Sequence, residues 1–403
     1  MKSDWKEYTV KELIDLEMLD EPLDGNHGSI HPKAADYVDE GVPFIMANNL
    51  INGVVDFEGC AFITESQAKT LRKGFAKPGD VLLTHKATIG RTAIVPDTYS
   101  TIILTPQVTY YRVKRGIDNR YLKYYFDSHD FQATLNNWAG SGSTRAYLGI
   151  TAQHKLPVIL PPYDQQRKIA DILAVLDRKI HLNSEINENL LQQAQNIFAE
   201  EFLPFDDIPD GWEKSSLLGI ADYLNGLAMQ KYRPNDEEQG LPVLKIKELR
   251  QGCCDTNSEL CSPSIKPEYI VHDGDVIFSW SGSLLVDLWC GGTCGLNQHL
   301  FKVTSSSYDK WFYYVWTNHH LQKFAAIAAD MATTMGHIKR EELAKAEVLI
   351  PTQADYDRIG SVLAPIYELV ISNRIENRKL ASLRDELLPR LMSGDIDVSE
   401  VMI

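Results

Sequence analysis

Short apolar runs separated by turn residues occupy the first part of the chain. The runs lie at 43–46, 81–84, 102–104 and 108–113, and they are rich in residues that favour strands. Gly-Asp, Pro-Asp and Asn-Gly pairs bound them, as turns do between strands. An aromatic-rich segment at 119–135 has the composition of a buried helix. The pattern therefore predicts a mixed α/β fold, with α and β elements in one domain.

Two long segments instead show apolar residues at three-and-four spacing, which predicts helices. Asn183 and Asn373 occupy the same inward-leaning position in them, and a buried asparagine in a paired helix fixes its register. We expect an antiparallel coiled coil with a globular head near each end, and the alternative is two separate amphipathic helices. The apolar positions are 169, 172/173, 176, 180, 186, 190, 194 and 197/198, then 359, 362/363, 366, 369/370, 380, 383, 387 and 391.

The sequence repeats itself. GDVLLTHKATIG (79–90) matches GDVIFSWSGSLL (274–285), and LTPQVTYYRV (104–113) matches LNQHLFKV (296–303) with Gln107 opposite Gln298. The segment at 156–190 matches that at 346–380. Repetition at a long fixed offset indicates two copies of one module. The expected domains are 1–162 and 204–351, each followed by a long helix at 163–203 and 352–403.

Composition adds few constraints. The chain has 403 residues and a formal charge of −15, from 40 basic and 55 acidic side chains. That length suits two or more domains. The acidic total argues mildly against nucleic-acid binding, although a groove can be basic on an acidic protein. No long apolar run or signal-peptide pattern is present, so we expect a cytoplasmic protein without membrane contact.

Six cysteines lie at 60, 253, 254, 261, 290 and 294. Structural zinc sites show two clean pairs of cysteine or histidine ligands, whereas this chain has one loose pair and one adjacent pair. The expected state is free thiols in a reducing compartment, with no metal.

Two motifs suggest a DNA methyltransferase. WAGSGST (138–144) resembles a loop that cradles S-adenosylmethionine, and LPPY (160–163) resembles a tetrapeptide that holds a flipped adenine. A cofactor loop of this kind follows a buried strand, but FQATLNN before it has the pattern of a helix end. The second copy lacks both motifs, with AADMATT at 328–334 and IPTQ at 350–353. Intrinsic methyl transfer is therefore disfavoured, and no nuclease or ATP-binding motif is present.

The repeated elements resemble the DNA-specificity (S) subunit of type I restriction-modification systems over essentially the full chain. The resemblance lies in both GDV segments, LNQHLFKV, IPDGWE (208–213), LPPYDQQRKIADIL (160–173) and LLPRLMSGDIDV (387–398). Gln165-Gln166 departs from the Glu-Gln pair that is usual after the double proline.

The resemblance implies a non-catalytic subunit whose two recognition domains each read one half of an asymmetric bipartite site in double-stranded DNA. The helices would set the spacer and recruit two methyltransferase (M) subunits and, through them, two restriction (R) subunits. S-adenosylmethionine, ATP and Mg²⁺ would act only in those partners. The alternatives are a self-contained methyltransferase or nuclease, and a coiled-coil adaptor that does not read DNA.

The residues expected to contact DNA are cations, which suit phosphates, and polar side chains, which suit base edges. In the first module they are Lys69, Arg72, Lys73, Lys77, Thr84, Lys86, Arg91, Ser141, Ser143, Thr144 and Arg145. In the second module they are Lys231, Arg233, Lys245, Lys247, Arg250, Ser279, Ser281, Ser283, Thr333 and Thr334. The target bases and the spacer length do not follow from the sequence.

Overall fold

A computed structural model describes residues 4–140, 146–204, 207–330 and 339–401. The chain forms two compact units. Unit 1 comprises Met1–Arg178 with Ser382–Ile403, and unit 2 comprises Lys179–Ala381. Across the described residues, no helix is both long and apolar enough to cross a membrane.

Unit 1 is built mainly from short strands. Its strands are β1 (Lys6–Thr9), β2 (Leu23–Asp24), β3 (Val42–Ile45), β4 (Leu50–Ile51), β5 (Val54–Val55), β6 (Ala61–Ile63), β7 (Phe75–Ala76), β8 (Val81–Lys86), β9 (Thr88–Ile94), β10 (Ile102–Leu104), β11 (Val108–Tyr111) and β12 (Pro157–Leu160). Its shorter helices are α1 (Val10–Asp15), α2 (Glu65–Ala68), α3 (Asn119–Asp127), α4 (His129–Gly140) and α5 (Ile150–Gln153). The predicted strands are therefore confirmed. The aromatic segment at 119–135 is helical, but it forms two helices, α3 and α4, because Ser128 between them has an extended backbone.

Two four-stranded sheets form the body of unit 1, in the orders β6-β3-β10-β7 and β2-β11-β8-β9. Alternate residues of β8 face opposite sides, as a strand requires. Val81 and Leu83 pack against the aromatic side chains of α3, while Leu82 packs against the other sheet. Because both faces are covered, β8 begins with three consecutive buried apolar residues rather than an alternating pattern.

Unit 2 repeats this arrangement. Its strands are β13 (Glu213–Ser216), β14 (Asp222–Asn225), β15 (Leu241–Leu244), β16 (Leu260–Cys261), β17 (Ile270–Val271), β18 (Val276–Ser279), β19 (Leu285–Leu288), β20 (Cys294–Leu296), β21 (Leu300–Thr304) and β22 (Glu347–Ile350). Its shorter helices are α7 (Leu217–Ile220), α8 (Ile246–Gln251), α9 (Lys310–His319), α10 (Leu321–Asp330) and α11 (Arg340–Lys345). The sheet orders β16-β15-β20-β17 and β14-β21-β18-β19 match those of unit 1 strand for strand.

The strand registers correct one detail of the sequence repeat. Val108 pairs with Thr84 in unit 1, and Leu300 pairs with Ser279 in unit 2, so Val108 and Leu300 are equivalent. Since three residues separate each from the last residue of the preceding strand, Gln107 corresponds to His299. The predicted match of Gln107 with Gln298 was wrong by one position, and Pro106 is the equivalent of Gln298.

The long helices are α6 (Tyr163–Phe202) and α12 (Gln353–Met392), and each contributes residues to both units. Within unit 2 their segments run antiparallel. Arg358 pairs with Glu201 at 2.7 Å, whereas the Asn377 side chain, later in α12, donates to the carbonyl of Ile180, earlier in α6. The mixed α/β class with two related globular parts and long helices is confirmed.

Two amide pairs lie between these helix segments. Asn183 Nδ2 donates to Asn377 Oδ1, and Asn373 Nδ2 donates to Asn187 Oδ1, both at 2.9 Å. Asn183 and Asn373 are buried, as expected from their positions. Ile186, which the pattern placed inward, is instead 45% exposed. At this point of α6 the residue that faces the partner helix is therefore Asn187, one position after the apolar residue that the pattern indicated.

Both long helices have an aspartate in their first turn. Helix α6 begins at Tyr163, so Asp164 lies in its first turn rather than at the cap. For α12 the cap is Thr352, whose hydroxyl accepts from the Asp355 backbone N–H at 3.2 Å. A hydroxyl immediately before the first turn satisfies a backbone donor that the helix itself leaves free.

A tryptophan contact links the start of each unit to the start of its long helix. Trp5 Nε1 donates to Gln165 Oε1, and Trp212 Nε1 donates to Asp355 Oδ2, both at 3.1 Å. The two modules thus begin in the same way, although glutamine in one is aspartate in the other.

Candidate nucleic-acid interface

A cleft of about 430 Å³ opens in unit 2 where β15, β16 and the β20–β21 connection meet. We call it the unit-2 cleft, and it is lined by Gln230, Arg233, Lys245, Ile246, Lys247, Glu259, Asn297, Gln298 and His299. Three of the sequence candidates, all cations, therefore come together around amide and imidazole groups. This is the mixture of side chains that contacts phosphates and base edges.

Glu259 holds two of the cleft's cations. Its carboxylate lies 2.5 Å from Lys245 Nζ and 3.3 Å from Arg233 Nη2. The Lys245 hydrogen bond lowers the pKa of the Glu259 carboxyl, so the carboxylate is ionised at neutral pH. These ion pairs are partly exposed to solvent, and exposed pairs contribute little stability. The cations can therefore exchange the carboxylate for a phosphate at small cost.

The other sequence candidates of unit 2 lie in three settings. Lys231 and Arg250 are exposed cations outside the cleft lining. Ser279 is fully buried, and its hydroxyl donates to backbone carbonyls of the following loop. Ser281 is also buried, and its hydroxyl lies 3.1 Å from Nδ1 of His299. Ser283 is partly exposed, and Thr333 and Thr334 lie outside the described residues.

In unit 1, one lysine and two histidines lie around the carboxylate of Asp24, near the end of β8. It forms an ion pair with Lys73 and lies 3.0 Å from His27 Nε2. Burial opposes ionisation of Asp24, but hydrogen bonds from Lys73 and His27 lower its pKa overall. His85 Nε2 lies 3.9 Å from the same carboxylate.

His85 illustrates why the histidines do not form a reactive site here. Its Nδ1 lies 2.9 Å from the Leu148 carbonyl, which makes Nδ1 the donor. Burial lowers the pKa of the ring, so it is neutral at physiological pH. No group of three or more potential metal ligands occurs in the described ranges. All six cysteines are free thiols, and those at 261, 290 and 294 are buried.

The remaining unit 1 candidates are dispersed. Lys86 and Arg91 are exposed at the β8–β9 hairpin, where Lys86 faces the Tyr147 ring and Arg91 donates to the Ala47 and Leu50 carbonyls. Lys77 precedes the other end of β8, about 16 Å away along the strand. Lys69 and Arg72 are exposed in and after α2. Ser141, Ser143, Thr144 and Arg145 lie outside the described residues.

Burial excludes three hydroxyls from direct DNA contact in this conformation. Thr84 has no exposed surface, and its Oγ1 accepts from the Arg91 backbone N–H at 2.9 Å. Ser279 and Ser281 are likewise buried and engaged within unit 2. Their sequence positions at strand ends suggested exposure, but each side chain points inward.

The family model of the type I restriction modification DNA specificity domain matches residues 2–192 and 209–383. The chain belongs to this family. The type I restriction enzyme MjaIX specificity subunit of Methanocaldococcus jannaschii is 25% identical over 422 residues, which cover 98% of this chain and 95% of the relative. The EcoKI specificity subunit of Escherichia coli K12 is 24% identical over 285 residues, covering 65% of this chain and 59% of the relative.

The fold agrees with this membership. The S subunit of a type I restriction-modification system from M. genitalium superposes with a TM-score of 0.58, at 11% identity, and covers 97% of this chain and 98% of that one. The predicted resemblance is thus confirmed. Specificity subunits are the non-catalytic DNA-recognition components of these systems, and this chain is one of them rather than an enzyme.

The methyltransferase-like motifs have structural explanations in this specificity subunit. Helix α4 contains Trp138, Ala139 and Gly140, the first residues of WAGSGST, where a cofactor site would need a preceding buried strand. In LPPY, Leu160 ends β12 and Tyr163 begins α6. The Pro162 carbonyl accepts from the backbone N–H groups of Gln165 and Gln166. The double proline is therefore a turn from strand into helix.

Sequence reasoning missed five of the residues that line the unit-2 cleft with polar groups. Three of them, Asn297, Gln298 and His299, form a polar triplet between two buried strands. That interruption of an apolar pattern was visible in the sequence and could have identified them. Gln230 and Glu259 carry no comparable signal, because their proximity depends on loop paths.

Proposed function

We propose that this specificity subunit reads an asymmetric bipartite site in double-stranded DNA. One recognition domain at 1–162 and another at 204–351 each read one half-site. The helices at 163–203 and 352–403 set the unread spacer, with Asn183 and Asn373 fixing their register. The setting would be the cytoplasm of a bacterium or archaeon.

The observation that carries this proposal is a difference between two equivalent surfaces. The strand registers place Lys245, Lys247, Gln298 and His299 of unit 2 at the positions that Met46, Asn48, Pro106 and Gln107 occupy in unit 1. The scaffolds match, yet the two lysines, the glutamine and the histidine of unit 2 are replaced in unit 1 by a methionine, an asparagine, a proline and a glutamine. Because different donor and acceptor patterns select different base pairs, the two domains would read different sequences.

The exposed apolar side chains of the helices support docking of partner proteins. Within unit 2, α6 exposes Leu182 and Ile186, one turn apart, at 42% and 45%. Helix α12 exposes Val362 and Leu369, two turns apart, at 48% and 46%. Large apolar side chains grouped on a surface are typical of protein interfaces. We assign the exposed Leu182 and Ile186 of α6 to the contact with a methyltransferase subunit, with two such subunits and two restriction subunits in the full complex.

Methylation of DNA by the assembled complex tests the recognition proposal. The chain is co-purified with the methyltransferase of the same system, and methylated adenines are mapped on genomic DNA. We expect two different short motifs at a fixed separation. A contiguous or palindromic motif would contradict the asymmetric bipartite assignment. Binding of S-adenosylmethionine by the isolated chain would instead favour a self-contained methyltransferase, and no specific DNA binding by the complex would favour an adaptor.

A charge placed on the exposed helix surface tests the docking proposal. Leu182→Glu should abolish co-purification of the methyltransferase without lowering the thermal midpoint of the isolated chain. Leu260→Glu is the matched control, because Leu260 is 45% exposed but lies on β16 rather than on a long helix. Equal retention of the partner by both variants would contradict the assignment.

A further inference from the structure

The connection between β20 and β21 presents one glutamine amide to the unit-2 cleft. Its residues Asn297, Gln298 and His299 all line that cleft. The backbone N–H of Asn297 donates to the Leu244 carbonyl at 3.2 Å, and that of Gln298 donates to the Leu227 carbonyl at 2.9 Å. The connection is therefore held from both sides. A ligand would meet an ordered surface, which reduces the entropy cost of binding.

A glycine makes this close packing possible. A Cβ atom at Gly226 would lie 2.3 Å from the Asn297 carbonyl oxygen and 2.4 Å from that of Leu296. Only the absence of a side chain lets the chain after β14 approach the connection so closely. In unit 1, Gly25 is in the same relation to the Leu104 carbonyl oxygen, so the scaffold is common to both modules.

A relay of hydrogen bonds determines how the Gln298 amide is oriented. The His299 backbone N–H donates to Asn297 Oδ1 at 3.3 Å. Because that oxygen accepts, the other terminal atom of Asn297 is its Nδ2 donor, which lies 3.2 Å from Gln298 Oε1. Asn297 is 5% exposed, so its own amide is held within the protein.

This orientation leaves a donor and an acceptor side by side. In the described part of the chain, no group hydrogen-bonds Gln298 Nε2, and Oε1 keeps its second lone pair. Glutamine with a free donor and acceptor pairs in bidentate fashion with N7 and the N6 amino group of adenine in the major groove. Lys245, Lys247 and Arg233 surround this amide with charges that suit neighbouring phosphates.

We propose that Gln298 reads an adenine in the half-site of the second recognition domain, and that Asn297 positions its amide. This assignment rests on the proposed function and adds one base to it. Pro106 occupies the equivalent position in unit 1 and offers no side-chain donor, so the first domain does not read DNA in this way. The recognition is thus a property of unit 2 alone.

The assignment is tested by mapping the DNA motifs that are methylated by complexes containing the wild-type chain or a single variant. Gln298→Ala, in the full chain with its methyltransferase, should reduce discrimination by about 5- to 150-fold at one A·T pair of one half-site. The other half-site should be unchanged. Asn297→Ala should weaken discrimination at the same pair, because the amide loses its orientation. Gln298→Glu should shift that position towards cytosine, since a carboxylate accepts from its amino group.

Gln239→Ala is the control, because Gln239 is an exposed glutamine of unit 2 outside the cleft lining. Thermal unfolding of each variant separates loss of reading from loss of folding. A bipartite motif that Gln298→Ala leaves unchanged, or alters at a G·C pair, would overturn the adenine assignment alone. A wild-type complex that methylates no bipartite site would overturn the proposed function and this assignment with it.

Discussion

The amide pair between Asn187 and Asn373 makes a quantitative prediction for unit 2. These side chains are 6% and 8% exposed, and one hydrogen bond of 2.9 Å joins them. Replacing Asn187 by leucine leaves the Asn373 amide buried without this partner. An unsatisfied buried polar group costs about 1–3 kcal/mol. Each single substitution should therefore lower the free energy of unfolding of unit 2 by about 2 kcal/mol.

The double variant Asn187→Leu/Asn373→Leu should behave differently. Replacing both partners by apolar groups leaves neither amide unsatisfied, and such exchanges can be neutral or stabilising. The double variant should therefore be at least as stable as either single variant, and the effects should not add. In the double variant, the register between α6 and α12 would lose one of the buried asparagine pairs that fix it.

Thermal unfolding followed by tryptophan fluorescence measures these changes, because five of the seven tryptophans lie in unit 2. For a unit of this size, about 2 kcal/mol corresponds to a fall of about 4–8 °C in midpoint. Gln193→Leu on the exposed face of α6 is the control and should shift the midpoint little. Single variants that match this control, or a double variant that loses the sum of both, would refute the reasoning.

Three further predictions concern unit 2. Thr352→Ala should destabilise it by about 1 kcal/mol in thermal melts, whereas Thr352→Ser should retain stability by keeping the hydroxyl that accepts from Asp355. The Arg378 hydrogen bond lowers the pKa of Asp273, so its stabilisation is present above about pH 4 and is lost as pH falls through the folded pKa. Asp273→Asn should consequently flatten the acid side of a stability-versus-pH curve, and an unchanged curve would exclude this pair as its cause. Glu259→Gln should strengthen non-specific DNA binding and its salt dependence, because two cations lose their carboxylate; weaker binding in a filter or anisotropy assay would contradict it.

The two-module architecture could be predicted from the sequence because the chain contains two copies of the same pattern. Matching segments at a fixed offset identified the modules, and the apolar runs located the strands. Helix phase was harder to predict, since an apolar residue such as Ile186 can face solvent while Asn187 faces the partner helix. Periodicity predicts that one face of a helix is apolar, but tertiary packing determines which residues on or beside that face contact the partner helix.

The candidate site was predictable only in part. Positive charge alone identified Arg233, Lys245 and Lys247, because phosphate contacts require it. It missed Gln298, whose role depends on the strand register and on an oriented amide. The polar side chains predicted to contact DNA included Thr84, which is fully buried. Such distinctions depend on side-chain direction at strand ends, and single-sequence patterns do not determine it.

The composition of unit 1 from distant parts of the chain has a consequence for its synthesis. Leu391, Met392 and Val398 are buried in the same core as residues of α3 and the first half of α6. At about 5–20 residues per second, the ribosome needs about 10–45 s to make the residues between Arg178 and the end of the chain. During that interval unit 1 lacks part of its core, while all of unit 2 is made in between. We therefore expect unit 1, whose synthesis begins first, to complete its folding last. Until then, the part of its core that the C-terminal residues cover would be available to chaperones.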